Sequence, residues 1–254
     1  MRDYDSFLQD FVHTGQSLET FENCPLKFYK RYFEGLRWDR PLDAEERAAI
    51  DLGSDFHILA ERFFLGIDRG LHEGAEDYDR LSVWLRNLEG SFGHREDAVY
   101  LPEYKLRCES GDFKLEANFD LVISHGGKLE IWDWKTHASE HRQGRAYAEK
   151  LEKSLQTTVY LYVLKERAGA LFGREYDFGD ISMNYWQPEP ARTITSITYS
   201  RQLHERFGGR IAELVGNIKA FDKKTFDKSL YSAHCRYCEF NWFCNREQNS
   251  LENR

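Results

Sequence analysis

Apolar positions along the chain change period near residue 98. Before it they recur at three- and four-residue intervals, the spacing of a buried helical face. Residues 17–34, 44–66 and 77–90 are therefore predicted helices. Ser17 and Thr20 offer hydroxyls for the first helix's start, and Pro25 marks a first turn or a break. From residue 98 the pattern alternates. VYLPEYKLRCE, KLEANFDLVIS and KLEIWDWKT read as three strands, the last two joined by His125-Gly126-Gly127, a hairpin signal. A helix is expected over 145–168. Two strands follow, DISMNYWQ and RTITSITYS, around Gln187-Pro188-Glu189-Pro190, and then a helix over about 201–222. This order predicts a mixed α/β (α+β) fold with a central mixed sheet flanked by helices. No repeat or linker divides it, so we expect one domain over 1–254: a helical region over 1–95, a core over 96–200 and a helix with a cysteine-rich tail over 201–254.

The hairpin carries the candidate chemistry. A symmetric turn at Gly126-Gly127 sets Asp120 opposite Asp133, and Lys135 shares a strand face with Asp133. Like charges directly opposed weaken a sheet, and burying them unpaired costs more. A hard divalent cation such as Mg²⁺ between the carboxylates removes both difficulties. An isolated D-x-K is a weak signal. The apolar neighbours Leu121-Val-Ile and Ile131-Trp mark these strands as central. His57 follows Gly53 by four on a predicted helix, and Gln156 and Tyr160 share one face of another. Each pair also suits ordinary core packing. Glu103, after Pro102 on the preceding strand, is a weaker auxiliary candidate and reads first as structural.

Charge at first argues against nucleic acid, since the formal net charge is −8. Residues 41–103 alone carry a net −9, so the remainder is close to neutral and can present basic grooves. Hydrophobic residues make up 41%, enough for a sizeable core. No apolar run is long enough to span a bilayer, and the polar start does not read as a secretory signal, so a cytoplasmic location is expected. No G-x₄-G-K-[ST] is present, which excludes a helicase motor within this chain but not in a partner.

Of five cysteines, Cys235, Cys238 and Cys244 crowd into ten residues. That clustering suggests a metal centre, not a disulfide framework. Cys24 is the natural fourth donor and His234 its rival; Cys108 reads as a small buried hydrophobe. The spacing C-x₂-C-x₅-C leaves zinc and iron–sulfur both open.

Taken in order, these residues resemble the PD-(D/E)XK nuclease superfamily. Gly53-Ser-Asp-Phe-His57 is similar to the G-x-x-x-H of its RecB-like branch, and Gln156-Thr-Thr-Val-Tyr160 to the Q-x-x-x-Y that follows D/E-x-K there. One Cys before the core and three after it resemble the iron–sulfur members, including AddB-type and CRISPR-associated adaptation nucleases. The approach to the first acid, Ala117-Asn118-Phe119-Asp120, is less regular than usual. The resemblance implies a restriction-endonuclease-like core and a Mg²⁺- or Mn²⁺-dependent deoxyribonuclease, with an exonuclease acting on DNA ends or single strands expected. Asp120, Asp133, Lys135, Gln156 and Tyr160 would be catalytic. His57, Asp120, Asp133 and the Trp134 carbonyl would hold the metal. Cys24, Cys235, Cys238 and Cys244 would hold a [4Fe-4S] cluster, with Zn²⁺ as the lesser alternative. DNA, a helicase-type partner and a role in repair, recombination or CRISPR adaptation are implied. Two other classes compete: a catalytically silent DNA-binding or scaffold subunit, and a zinc-stapled interaction module.

Overall fold

A computed structural model describes residues 3–37, 42–111, 113–136, 144–189, 193–235 and 238–244. Pro190, Arg236, Tyr237 and the tail over 245–254, all covered by the sequence reading, lie outside these residues.

The sheet is built on β3 (Phe113–His125). β2 (Val99–Ser110) and β4 (Lys128–Trp134) pair with it antiparallel, and the short β1 (Val12–His13) pairs parallel. β5 (Ile181–Gln187) runs parallel to β4, and β6 (Thr193–Thr198) closes antiparallel on β5. The β3–β4 pairs run from Leu121↔Trp132 to His125↔Lys128. This is the register the hairpin predicts. Gly126 and Gly127 both take positive φ, 54° and 84°, which a two-residue hairpin turn demands and glycine supplies without strain.

Helices cover both faces. On one, α2 (Gly15–Asn23), α7 (Leu155–Phe172) and α8 (Arg201–Lys219) pack on Leu115, Phe119, Ile131 and Met183. On the other, α4 (Ala44–Leu65) and α5 (Tyr78–Ser91) bury Phe56, Phe64 and Trp84 against Leu121, Trp134 and Trp186. The mixed sheet between helices is the expected fold class. Among the described residues no helix is long and apolar enough to cross a membrane.

Three local readings are corrected. The helix expected over 17–34 begins earlier and is broken. Thr14 caps α2 and forms a reciprocal capping box with Ser17. Pro25 then starts a new turn, α3 (Pro25–Phe28), because the residue before proline is driven to extended backbone; Cys24 sits there at φ −167°. The helix expected over 145–168 is two, α6 (Arg145–Glu152) and α7, separated where Ser154 caps the second. The sequence reading also missed α1 (Tyr4–Asp10) and β1. They are anchored by contacts remote in sequence, such as the Tyr4 hydroxyl donating to the Ile218 carbonyl at 3.1 Å.

Candidate active site

Three carboxylates lie in one row across the sheet. The pairs Pro102↔Leu121 and Tyr104↔Phe119 bracket Glu103 and Asp120, and Asp120 and Asp133 each follow directly beyond the last β3–β4 pair, Leu121↔Trp132. Alternation inverts at this row. Leu115, Ala117 and Phe119 belong to the core under α7, yet Leu121 and Ile123 belong to the core under α4. In β2, Tyr104 and Leu106 pack with the first core and Tyr100 with the second. Glu103 stands at the inversion with φ 46°, a backbone conformation uncommon for a residue with a side chain. Such outliers accompany functional sites more often than ordinary strands.

The carboxylates divide into two arrangements. Glu103 and Asp120 face His57 of α4: His57 Nδ1 lies 3.5 Å from Glu103 Oε1 and 3.6 Å from Asp120 Oδ1. These three donor atoms lie within 4.8 Å of one another. Asp120 Oδ2 also accepts the Trp134 amide N–H at 2.7 Å, which clamps β3 to β4 at the site. Asp133 is nearly enclosed, at 3% exposure, and faces α7. Its Oδ1 lies 2.5 Å from Lys135 Nζ, and its Oδ2 accepts from Gln156 Nε2 at 2.5 Å. Gln156 Oε1 in turn accepts from Lys135 Nζ at 3.1 Å. The three side chains close a ring. Lys135 is further held over the Tyr185 ring, 5.0 Å from its centre. Tyr160, one turn beyond Gln156, donates to the Asn118 carbonyl and packs edge-on against Phe119.

Two glycines make this convergence possible. A methyl group on Gly53 would lie 2.8 Å from Thr136 Oγ1, so α4 rests directly on the segment after β4, and His57 reaches the carboxylates one turn later. A methyl group on Gly15 would meet the Leu155 carbonyl at 3.0 Å and Gln156 Cα at 3.1 Å. The start of α2 thus fixes where α7 presents Gln156.

Electrostatics show a site under negative charge. Burial and the neighbouring Asp133 hold the Asp120 carboxyl well above the usual carboxylate range, against the opposing pull of His57 and the Trp134 amide. Burial opposes charging of His57, but Glu103 and Asp120 outweigh it and raise its pKa. Burial also raises the Tyr160 hydroxyl. Glu103 Oε1 and Asp133 Oδ1 are buried without a hydrogen-bond partner of good geometry, although both lie near cations. Oxygens left this way among carboxylates and an imidazole suit a hard or borderline divalent metal.

Most sequence-predicted residues meet here: His57, Asp120, Asp133, Trp134, Lys135, Gln156 and Tyr160. Trp134 contributes its amide N–H. Glu103, the weaker auxiliary candidate, joins them. Read first as structural, it forms the donor trio with His57 and Asp120, while Asp133 is engaged by Lys135 and Gln156. Its one sequence signal was its reach along β2 to the level of Asp120. A cleft of about 640 Å³ opens from His57 and Glu103 along α4 past Gly53 and Ile58.

A second cluster lies apart. Cys24, Cys235, Cys238 and Cys244 line one small cavity, and no disulfide joins the described cysteines. Cys108 is buried within its strand, as expected. The break at Pro25 turns Cys24 towards the tail. Burial raises the Cys24, Cys238 and Cys244 thiols. Among the described residues no three of these sulfurs lie within 4.8 Å of one another.

A mixed sheet with helices on both faces carries an Asp and a D-x-K on adjacent strands. The model of the PD-(D/E)XK nuclease superfamily matches residues 14–245, and the chain belongs to that superfamily. It is a hydrolytic nuclease by family. A solved structure of a provisionally assigned exonuclease from Eubacterium rectale shares the fold, with a TM-score of 0.51 and 10% identity over 86% of this chain and 84% of that one. SSO0001 aligns with a TM-score of 0.42 and 14% identity over 92% of this chain and 86% of that one. No curated protein matches the sequence.

Proposed function

We propose that this chain hydrolyses phosphodiester bonds of DNA, using Mg²⁺ or Mn²⁺, as an exonuclease on ends or single strands. The observation that carries this reading is the row Glu103–Asp120–Asp133, with one arm on His57 and the other on Lys135 and Gln156. Glu103, Asp120 and His57 would hold the metal, with Asp133 or the Trp134 carbonyl completing the shell. When bound, the metal would supply Lewis acidity and lower the pKa of water. Lys135 places an ammonium beside the row, where it orients water and stabilises charge developing on a phosphate oxygen. Gln156 holds Lys135 and Asp133 in one geometry. Tyr160 braces α7 on the Asn118 carbonyl.

The four cysteines would hold a [4Fe-4S] cluster that ties the N-terminal helices to the tail. One cysteine before the core and three after it, meeting at one cavity, support the cluster over zinc. One nuclease unit in the cytoplasm, fed by a separate helicase-type partner in repair, recombination or CRISPR adaptation, fits these parts.

End-labelled single- and double-stranded DNA, incubated with Mg²⁺, Mn²⁺ or EDTA, tests the activity. Lys135→Ala and Asp133→Ala should abolish cleavage without unfolding the chain; metal-dependent cleavage retained by either would refute the mechanism. Iron and sulfide assays, with loss of visible absorbance in Cys238→Ser, test the cluster. A colourless zinc protein would refute it.

A further inference from the structure

Lys135 is held from three directions. Its ammonium lies 2.5 Å from Asp133 Oδ1, donates to Gln156 Oε1 at 3.1 Å and sits 5.0 Å from the centre of the Tyr185 ring. Its side chain is still 24% exposed, so it is not sealed from the site. Asp133 and Gln156 act through charge and hydrogen bonding. The ring attracts the cation through the negative potential of its face, and it keeps water from that side of the ammonium.

The ring is itself fixed. Tyr185 pairs with Asp133 across β4 and β5 and is 1% exposed. Its hydroxyl lies 2.7 Å from Thr157 Oγ1, which lies 2.5 Å from the Leu151 carbonyl. A carbonyl only accepts, and Thr157 has one hydroxyl proton. Thr157 therefore donates to Leu151, and Tyr185 donates to Thr157. Thr157 follows Gln156 on α7, so one turn of one helix fixes both the amide and the ring that hold Lys135. Stability alone does not require this pair. Two buried hydroxyls bonded to each other can be replaced by apolar groups of the same shape at little cost. The Leu151 carbonyl would keep the Ser154 N–H, at 3.1 Å.

We propose that Tyr185 is a positioning residue for Lys135: its ring face, aimed by Thr157, fixes the ammonium so that its open side meets the phosphate being cleaved. This rests on the nuclease reading above. Buried as it is, the ring acts through Lys135, so its effect falls on the chemical step and not on strand binding.

Single-turnover cleavage of one end-labelled oligonucleotide with Mn²⁺, at saturating and subsaturating protein, separates these two steps. Tyr185→Phe keeps the ring face and loses its aim, and should cleave about threefold more slowly. Tyr185→Leu removes the face and should slow the chemical step about tenfold at unchanged strand affinity, the scale of one partly enclosed cation–ring contact. Where the leucine variant fails to fold, phenylalanines carrying two and then three ring fluorines at position 185 decide. Fluorine keeps the ring's shape and weakens its negative face. Cleavage should slow stepwise from none to two to three fluorines, while melting temperature and strand affinity stay with Tyr185→Phe. Equal rates along that series, or a folded Tyr185→Leu as fast as Tyr185→Phe, would overturn this proposal and leave the nuclease reading standing. A wild-type chain without metal-dependent cleavage would overturn both.

Discussion

Gly53 touches Thr136 so closely that a methyl group on the glycine would lie 2.8 Å from the threonine hydroxyl oxygen. That contact sets the height of α4 over the sheet, and His57 stands one turn further along the same helix. Overpacking a tight contact forces side-chain and backbone shifts that typically cost about 1–3 kcal/mol. Gly53→Ala should therefore withdraw His57 from Glu103 and Asp120. We expect metal-dependent cleavage to fall about tenfold, with Thr136→Ala restoring much of it in the double variant. If the second substitution brings no recovery, the contact is not what positions the histidine.

The ring of Asp133, Lys135 and Gln156 predicts an order among substitutions. Lys135→Ala removes the ammonium and should cost at least about 100-fold in kcat, the scale of losing one preorganised charge donor. Gln156→Ala leaves Lys135 its ion pair with Asp133 and should cost less. Gln156→Glu places a carboxylate where Asp133 Oδ2 now accepts a hydrogen bond at 2.5 Å. It should therefore be worse than Gln156→Ala. Single-turnover rates on one oligonucleotide check the order, and the reverse order for the two Gln156 variants would show that the ring does not act through charge.

Asp120 is the place where function opposes stability. Its carboxyl is held above the unfolded value, chiefly by burial and then by Asp133, so without metal the folded state binds more protons than the unfolded one. Asp120's contribution to the stability of the metal-free protein must then fall as pH rises from about 4, the usual carboxylate value, towards about 8. Asp120→Asn removes that charge and keeps an oxygen to accept the Trp134 N–H. In EDTA at pH 7.5 it should melt higher than wild type, by roughly 2–4 °C for each kcal/mol recovered. It should also lose the rise in Tm that Mn²⁺ gives wild type through binding the folded state alone. Glu103→Gln should blunt the same Mn²⁺ response. A variant that melts lower in EDTA, or still responds fully to Mn²⁺, would contradict this account.

The legibility of the site follows from the range of the forces that build it. The approach of Asp120 to Asp133 was readable because Gly126-Gly127 fixes a register that holds as far as Leu121↔Trp132, the pair next to them. His57 and Gln156 were readable as spacings, but their convergence was not. It depends on Gly53 meeting Thr136 and Gly15 meeting Leu155, contacts between elements far apart in sequence. Glu103 stood only as a weaker candidate for a sharper reason. Alternation is assumed to continue along a strand, and here it inverts in β2 and β3 at the same row. Nothing in Pro102-Glu103-Tyr104 announces a positive φ at a glutamate. The helix predicted over 17–34 failed more gently, since Pro25 signalled a break whose consequence for Cys24 was tertiary.

His13 offers a test of the core beneath α1, far along β3 from the carboxylate row. It is 3% exposed, its Nδ1 finds no hydrogen-bond partner, and its ring meets Phe11 edge-on at 4.9 Å. Burial, aided by Lys219, pushes its pKa down to about 4. The unfolded chain, with an ordinary histidine near 6.5, binds more protons between these two values. Stability from the neutral ring is therefore complete above about pH 6.5 and is lost as pH falls towards 4. The loss is roughly 3 kcal/mol at most, because each tenfold difference in proton affinity between the two states is worth about 1.4 kcal/mol. His13→Phe keeps an aromatic ring against Phe11 and removes the titrating group. Urea denaturation at pH 7.5 and 4.5 should show the variant gaining on wild type as pH falls, whatever its stability at neutral pH. Carboxylates titrate over the same range, but they are common to both proteins and cancel in the difference. Parallel pH profiles for the two proteins would mean that protons reach His13 without cost, and that its burial is not what the fold depends on at this edge of the sheet.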